Sequence, residues 1–358
     1  MEVEHLPARA DRGGKALPCG EAQEARRGAS GKRPLAWKAV QAAIFSLCVL
    51  LLGKSALAED PKVVASILPV HSLAAAIMAG VGEPVLLIEG AASPHSFSLR
   101  PSDARALEEA DLVIWVGEEL EISLLRPLQN LGEQARLITL SEIERMKLLP
   151  SRPAGLHRRQ NDQAAQVEEE HEGKELRPHS DHVHGEHDMH LWLDPENAVR
   201  AGEAIAEALA ELDPQREALY RGNALRLKGE LQALASRVAQ KLAPFRDKGF
   251  LVFHDAYQYF EEAFSLSSSG SLTLGAERQP GARRLQEIRR WIEETNSLCL
   301  FAEPQFEPRL LPRLVEGTDA RIGLLDPLGA ELDPGPTAYT NLIENLASSF
   351  AGCFEGAP

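Results

Sequence analysis

The chain has 358 residues, of which 44% are apolar, so two globular domains with sizeable cores are expected rather than one. Its net charge of −15, from 53 acidic against 38 basic residues, excludes the broad basic surface that nucleic acid or anionic lipid demands. A negative field suits cations in general and specifies no site.

The first 58 residues read as an export signal with an N-terminal extension. Arg26, Arg27, Lys32, Arg33 and Lys38 precede an apolar run over 39–52, and Ala56-Leu57-Ala58 then supplies the small residues of a cleavage site, so cleavage is expected after Ala58. The run is shorter than the ~20 residues a membrane-spanning helix needs. Cleavage would remove Cys19 and Cys48 and leave Cys299 and Cys353. An even count in an oxidising compartment predicts that these two pair, with two buried thiols as the alternative. Closing that loop is worth roughly 4 kcal/mol in the chain-entropy picture.

Beyond residue 58, short apolar runs alternate with helical patterns. Strands are expected at 63–68, 84–88, 112–116 and 136–140. Helices are expected at 72–79, from Ser102 or Asp103 through Ala110, and at 121–128. This alternation implies βαβ units and a parallel sheet. From 150 to 189 the periodicity fails, and His, Glu and Asp crowd together, so a disordered loop is expected. A helix follows at 195–212, with Pro195 in its first turn. A long helical pattern then runs over 214–242, with Leu219, Leu225, Leu227, Leu231, Leu234 and Val238 as its apolar positions. The alternation restarts with a strand at 250–253 and helices at 256–264 and 282–294, the latter with Leu285, Ile288 and Ile292 inward. Strands at 298–302 and 321–325 and a helix at 339–350 complete it. The expected fold is therefore α/β: two Rossmann-like lobes with parallel sheets, 59–213 and 246–358, joined by one long rigid helix within 214–245.

His95 and His254 stand at or just beyond expected strand ends, and His190 opens the run His190-Leu191-Trp192-Leu193. Asp326 follows the strand ending at Leu325. In open α/β sheets, the C-terminal edge of the strands is where ligands bind. Imidazole nitrogens are good donors to zinc, and three of them with a carboxylate or water make a tetrahedral set. A single histidine at a strand end is more often a hydrogen-bonded structural residue, and separations this long leave both roles open. His71, at a helix start, is expected to be structural or to support a ligand from behind rather than to ligate. Glu303 is placed to orient a ligating imidazole, and Trp115, Trp192 and Phe253 are expected in the core.

Several strings in one order carry a resemblance. They are Ala65-Ser66-Ile67, Ser98-Leu99-Arg100-Pro101-Ser102-Asp103, Ala110-Asp111-Leu112-Val113, Met189-His190-Leu191-Trp192-Leu193, Phe253-His254-Asp255-Ala256-Tyr257, Gln279-Pro280-Gly281-Ala282, Phe301-Ala302-Glu303-Pro304-Gln305-Phe306 and Leu325-Asp326-Pro327-Leu328-Gly329. Over about residues 62–353 the chain resembles the ZnuA family, within the wider group of metal-binding receptors of ABC transporters.

The resemblance implies high-affinity capture of zinc in the periplasm by a monomer without enzymatic activity. Zinc would be handed to a membrane permease whose ATPase is a separate cytoplasmic subunit. It implies His95, His190 and His254 as ligands in the cleft between the lobes, with Asp326 beside the metal. It also matches Cys299 and Cys353 to the family's disulfide. Manganese-binding relatives usually carry glutamate where His254 stands, so the third imidazole favours zinc. Where some members have an acidic residue before the first histidine, this chain has Pro94, which leaves Asp326, water or a loop histidine as the fourth ligand. The loop histidines His171, His179, His182, His184 and His187 are expected to gather metal loosely. A zinc hydrolase is the rival class, but there is no His-Glu-x-x-His element and no nucleophile elbow. Lobes joined by one rigid helix predict a small tilt on metal binding rather than a wide closure.

Overall fold

The computed structural model describes residues 59–131, 134–152, 155–156, 185–273, 281–295, 298–306 and 311–356, all within the unit Glu59–Pro358. The export signal, its cleavage position, His171, His179, His182 and His184 lie outside the described residues.

The first lobe is built on strands that are buried from end to end. β1 (Val63–Ile67) is the run Val-Val-Ala-Ser-Ile with every residue buried, and β3 (Leu112–Trp115) is the same. Continuous apolar runs of this kind belong to parallel strands covered on both faces. With β2 (Val85–Ile88) and β4 (Arg136–Thr139) they form a parallel sheet of order β2-β1-β3-β4. α1 (Leu68–Ile77) follows β1 without a loop, because Pro69 fits the first helical turn. The helix therefore begins earlier than the expected 72. α2 (Pro101–Glu108) likewise starts at a proline, and Asp103 reaches back to accept the Arg100 amide at 2.8 Å. Asp103 thus caps from within the first turn instead of preceding the helix. α3 (Ile122–Leu131) leads to β4.

Two short strands, β5 (Leu149–Pro150) and β6 (His187–Asp188), pair antiparallel and bring together the two ends of the His- and acid-rich stretch. α4 (Pro195–Leu212) is capped by Asp194, whose side chain accepts the Glu196 amide. α5 (Glu217–Leu242) has 26 residues and so spans about 39 Å. Its inward row is Tyr220, Asn223, Leu227, Leu231, Leu234, Val238 and Leu242. Leu219 and Leu225, also apolar positions of the expected helical pattern, are exposed, Leu225 by 73%. They fall off the stripe that recurs every three or four residues.

The second lobe repeats the plan with β7 (Phe250–Val252), α6 (Gln258–Phe264), α7 (Ala282–Thr295), β8 (Cys299–Ala302), α8 (Leu311–Val315), β9 (Arg321–Leu324) and α9 (Ala338–Glu355). Its sheet is parallel with order β7-β8-β9. Side chains alternate between two apolar clusters, as the strand period of two dictates. Phe250, Val252, Cys299 and Phe301 join the large core that also contains β1 and β3, whereas Leu251, Leu300 and Ala302 join a smaller one with Ile288 and Ile292. Cys299 and Cys353 form a disulfide that ties α9 to β8. α9 packs on α5, α1 and β9, so its apolar face serves both lobes. Trp192 Nε1 donates to the Pro327 carbonyl at 2.8 Å, and Tyr339 hydroxyl donates to the Trp192 carbonyl at 2.8 Å. Such buried bonds between lobes oppose their separation.

Candidate metal centre

Two of the candidate ligands follow directly on strand ends, and the third lies in a loop. His254 lies two residues beyond β7, and Glu303 lies one residue beyond its neighbour β8. Parallel pairing of the two strands places Glu303 against His254: the His254 amide donates to Oε1 at 3.2 Å, and Nδ1 is 2.8 Å from Oε1 and 2.7 Å from Oε2. His190 follows β6, and its amide and Nδ1 both meet Asp188 Oδ1, at 2.9 and 2.7 Å. His95 sits in the loop between β2 and α2.

These three histidines, distant in sequence, converge. One ligand atom from each lies within 4.8 Å of the others, and no other such group of three or more occurs among the described residues. Ring centroids are 5.1 Å apart for His190 and His254, 5.7 Å for His95 and His190, and 6.1 Å for His95 and His254. A carboxylate at Nδ1 of His190 and of His254 favours the tautomer that carries its proton there. In that tautomer Nε2 is the lone-pair donor, the arrangement that prepares imidazole for a metal. The two Nε2 atoms stand 3.3 Å apart. Two donors ~2.05 Å from one tetrahedral zinc would be separated by about 3.3 Å. The donor set therefore fits a borderline-soft divalent cation in chemistry and spacing.

Two of the three histidines and both carboxylates behind them are buried, and His95 is half-buried. Asp188, His190, His254 and Glu303 are all buried, and Pro94, Trp192, Phe306, Pro327 and Leu328 line the same pocket. For His254, burial works against the imidazolium, but the charge and hydrogen bond of Glu303 outweigh it, so its proton affinity is raised. Burial first, then the charge of Glu303, pushes the Tyr257 phenol well above its usual range.

Asp326 does not join the convergent group. Its Oδ1 accepts Gln305 Nε2 at 2.9 Å and the amides of Leu328 and Gly329 at 3.1 and 2.9 Å, and its Oδ2 accepts the Ala330 amide. It builds the turn beside the pocket and holds Gln305 at the rim. His71 is also apart, with Nε2 2.9 Å from the Pro84 carbonyl, and burial lowers its proton affinity. His187 lies in β6, outside the cluster. Asp188 escaped the sequence reading, because in a stretch dense with acids nothing but its place two residues before His190 distinguished it.

Two α/β lobes with three imidazoles converging between them define a two-lobed protein equipped to hold a divalent cation. The family model described as "Zinc-uptake complex component A periplasmic", ZnuA, matches residues 63–353, and the chain belongs to that family. It is 42% identical over 320 residues to the high-affinity zinc uptake system protein ZnuA of Brucella abortus, covering 84% of this chain and 94% of the relative. To the protein of the same description from Yersinia pestis it is 39% identical over 309 residues, covering 86% and 95%. Among solved structures, a crystal structure of ZnuA superposes with a TM-score of 0.64 at 23% identity, covering 81% of this chain and 99% of that one. The periplasmic zinc-binding protein TroA of Treponema pallidum gives 0.66 at 19%, covering 82% and 99%. At these identities the structural likeness concerns the fold.

Proposed function

We propose that this protein captures zinc in the periplasm with His95, His190 and His254 and delivers it to an ABC-type zinc permease, whose ATPase is a separate cytoplasmic subunit. The observation that carries this reading is the convergence of three imidazoles, two of them backed by buried carboxylates, with Nε2 donors 3.3 Å apart. The zinc-uptake names of relatives at 42% and 39% identity support the choice of cargo.

Residues 1–58 act as an export signal with its extension, cut after Ala58. Residues 59–213 and 246–358 are the two lobes, and 214–245 is their connecting helix. The chain works as a monomeric receptor, and it binds without making or breaking covalent bonds. Neutral imidazoles donate lone pairs to the ion, and Asp188 and Glu303 offset its charge from one step further out. Asp326 supports the pocket through Gln305 and the turn at 326–330. The lobes tilt little on loading, which the shared core and the buried Trp192–Pro327 and Tyr339–Trp192 bonds favour.

The test is a chelator-competition titration of metal-free protein beside the His95→Ala, His190→Ala, His254→Ala triple variant. One tight zinc site, lost in the triple variant, is expected. Tight binding that persists in the variant would move the zinc site away from these residues.

A further inference from the structure

The segment leading into the His-rich stretch is held by the second lobe. Leu156 forms an antiparallel bridge with Gly270, the Ser271 amide donates to the Gly155 carbonyl at 2.9 Å, and Leu156 packs against the smaller apolar cluster of that lobe. Four residues earlier stands Arg152. Its Nε donates to Asp255 Oδ2 at 3.0 Å, its Nη2 also meets Asp255 Oδ1, and Nη1 and Nη2 donate to Glu261 at 2.8 and 3.2 Å. One guanidinium thus engages two carboxylates of the second lobe through its planar fork. Glu261 is buried, and its Oε2 also accepts the Ser268 amide at 3.2 Å. Asp255 is the residue after His254.

The same segment carries the other end of the link. Leu149, three residues before Arg152, pairs with Asp188 across β5 and β6, and Asp188 orients His190. Tyr259 of α6 closes the loop, accepting the Leu149 amide at 2.9 Å and donating to the Asp188 carbonyl at 2.8 Å. A short chain of contacts therefore runs from Asp255, beside one imidazole, through Arg152 and the β5–β6 pair to Asp188, beside the other.

We propose that Arg152 is a positioning residue for zinc capture: by clamping Asp255 and Glu261 to the segment that carries β5, it holds His254 and His190 at ligating separation. Burial alone would weaken the guanidinium's hold on its proton. Glu261 and Asp255 reverse that, so the cation persists at every working pH. Preorganised donors lose less freedom when the ion binds. Loss of the clamp should appear chiefly as faster release, since affinity differences among variants of one site fall mostly on dissociation. This inference rests on the proposed three-histidine site.

The test uses protein expressed from the full chain and purified after export. Zinc association and chelator-driven dissociation rates are measured for the wild type, Arg152→Gln, Arg152→Lys, Asp255→Asn and the Arg152→Gln, Asp255→Asn pair. Stoichiometry and the unfolding midpoint of the metal-free form are measured alongside. Arg152→Gln is expected to keep one zinc per chain and release it about tenfold faster, the lower end of the loss typical for groups that orient metal ligands. Association should change by less than about threefold. The double variant should release zinc no faster than Arg152→Gln alone, because both changes break one clamp. If Arg152→Gln fails to accumulate, Arg152→Lys is decisive, since it keeps the charge without the fork and should still release zinc several-fold faster. Wild-type release rates in both position-152 variants, or effects that multiply in the double variant, would overturn the clamp. So would a lowered unfolding midpoint with unchanged release. Tight zinc binding that survives loss of all three histidines would instead overturn the site itself.

Discussion

Glu121 offers a test of the fold's electrostatics away from the histidines. Its side chain turns back from the start of α3 into the first lobe and is fully buried. Oε2 accepts the Val116 amide at 2.7 Å and the Gly117 amide at 3.2 Å. Burial raises its pKa from 4.5 to about 7, with the Ser66 side chain and those amides pulling only partly the other way. The folded state therefore binds a proton that the unfolded chain has released between these two values. Stability from this group is complete below about pH 4.5, falls as pH rises and levels off above about pH 7. The difference between these two values corresponds to about 3 kcal/mol. Glu121→Gln resembles the protonated side chain and can keep a carbonyl oxygen on the two amides. The variant should match the wild type near pH 4.5 and exceed it by as much as ~3 kcal/mol at pH 8. Urea unfolding of both metal-free proteins from pH 4.5 to 8.5 measures the difference, in which other titrating groups largely cancel. A variant less stable at pH 8, or a difference that does not move with pH, would refute the reasoning.

Two further outcomes follow from the geometry. Glu303→Gln keeps the volume and an acceptor near His254 Nδ1 but removes the charge, so zinc affinity should fall about 10- to 100-fold in chelator competition while the metal-free fold persists. Gly270→Ala should destabilise the protein by about 1–3 kcal/mol in urea unfolding, because a Cβ there would lie 2.3 Å from the Gly155 carbonyl oxygen and the backbone has φ +127°.

The parts of the fold most legible in the sequence were those with the strongest physical signal. Val63–Ile67 and Leu112–Trp115 read as strands because a parallel strand covered on both faces is an unbroken apolar run. The long helix is legible from its leucines, although two of them, Leu219 and Leu225, lie off its buried face. A strict stripe through Tyr220 and Asn223 would have excluded them, and the buried Asn223 obscured it by being polar. Its amide is satisfied by the Ile77 and Ala79 carbonyls, a tertiary contact without a local signature. The β5–β6 pair was invisible for a related reason, since two residues per strand carry no periodicity.

At the site, the family strings pointed to His95, His190 and His254, and strand pairing explains how Glu303 reaches its imidazole. For Asp326 the sequence supports two readings. An aspartate followed by Pro-Leu-Gly at a strand end is equally suited to bind a cation or to accept the amides of its own turn. Its bonds to the Leu328, Gly329 and Ala330 amides belong to the second role.

The most direct test of the central claim is anomalous scattering at the zinc edge from crystals of the zinc-loaded protein. One strong peak between the lobes is predicted, ~2.0–2.1 Å from an imidazole nitrogen of each of His95, His190 and His254. A principal peak at any other set of residues, with these three imidazoles unligated, would contradict it.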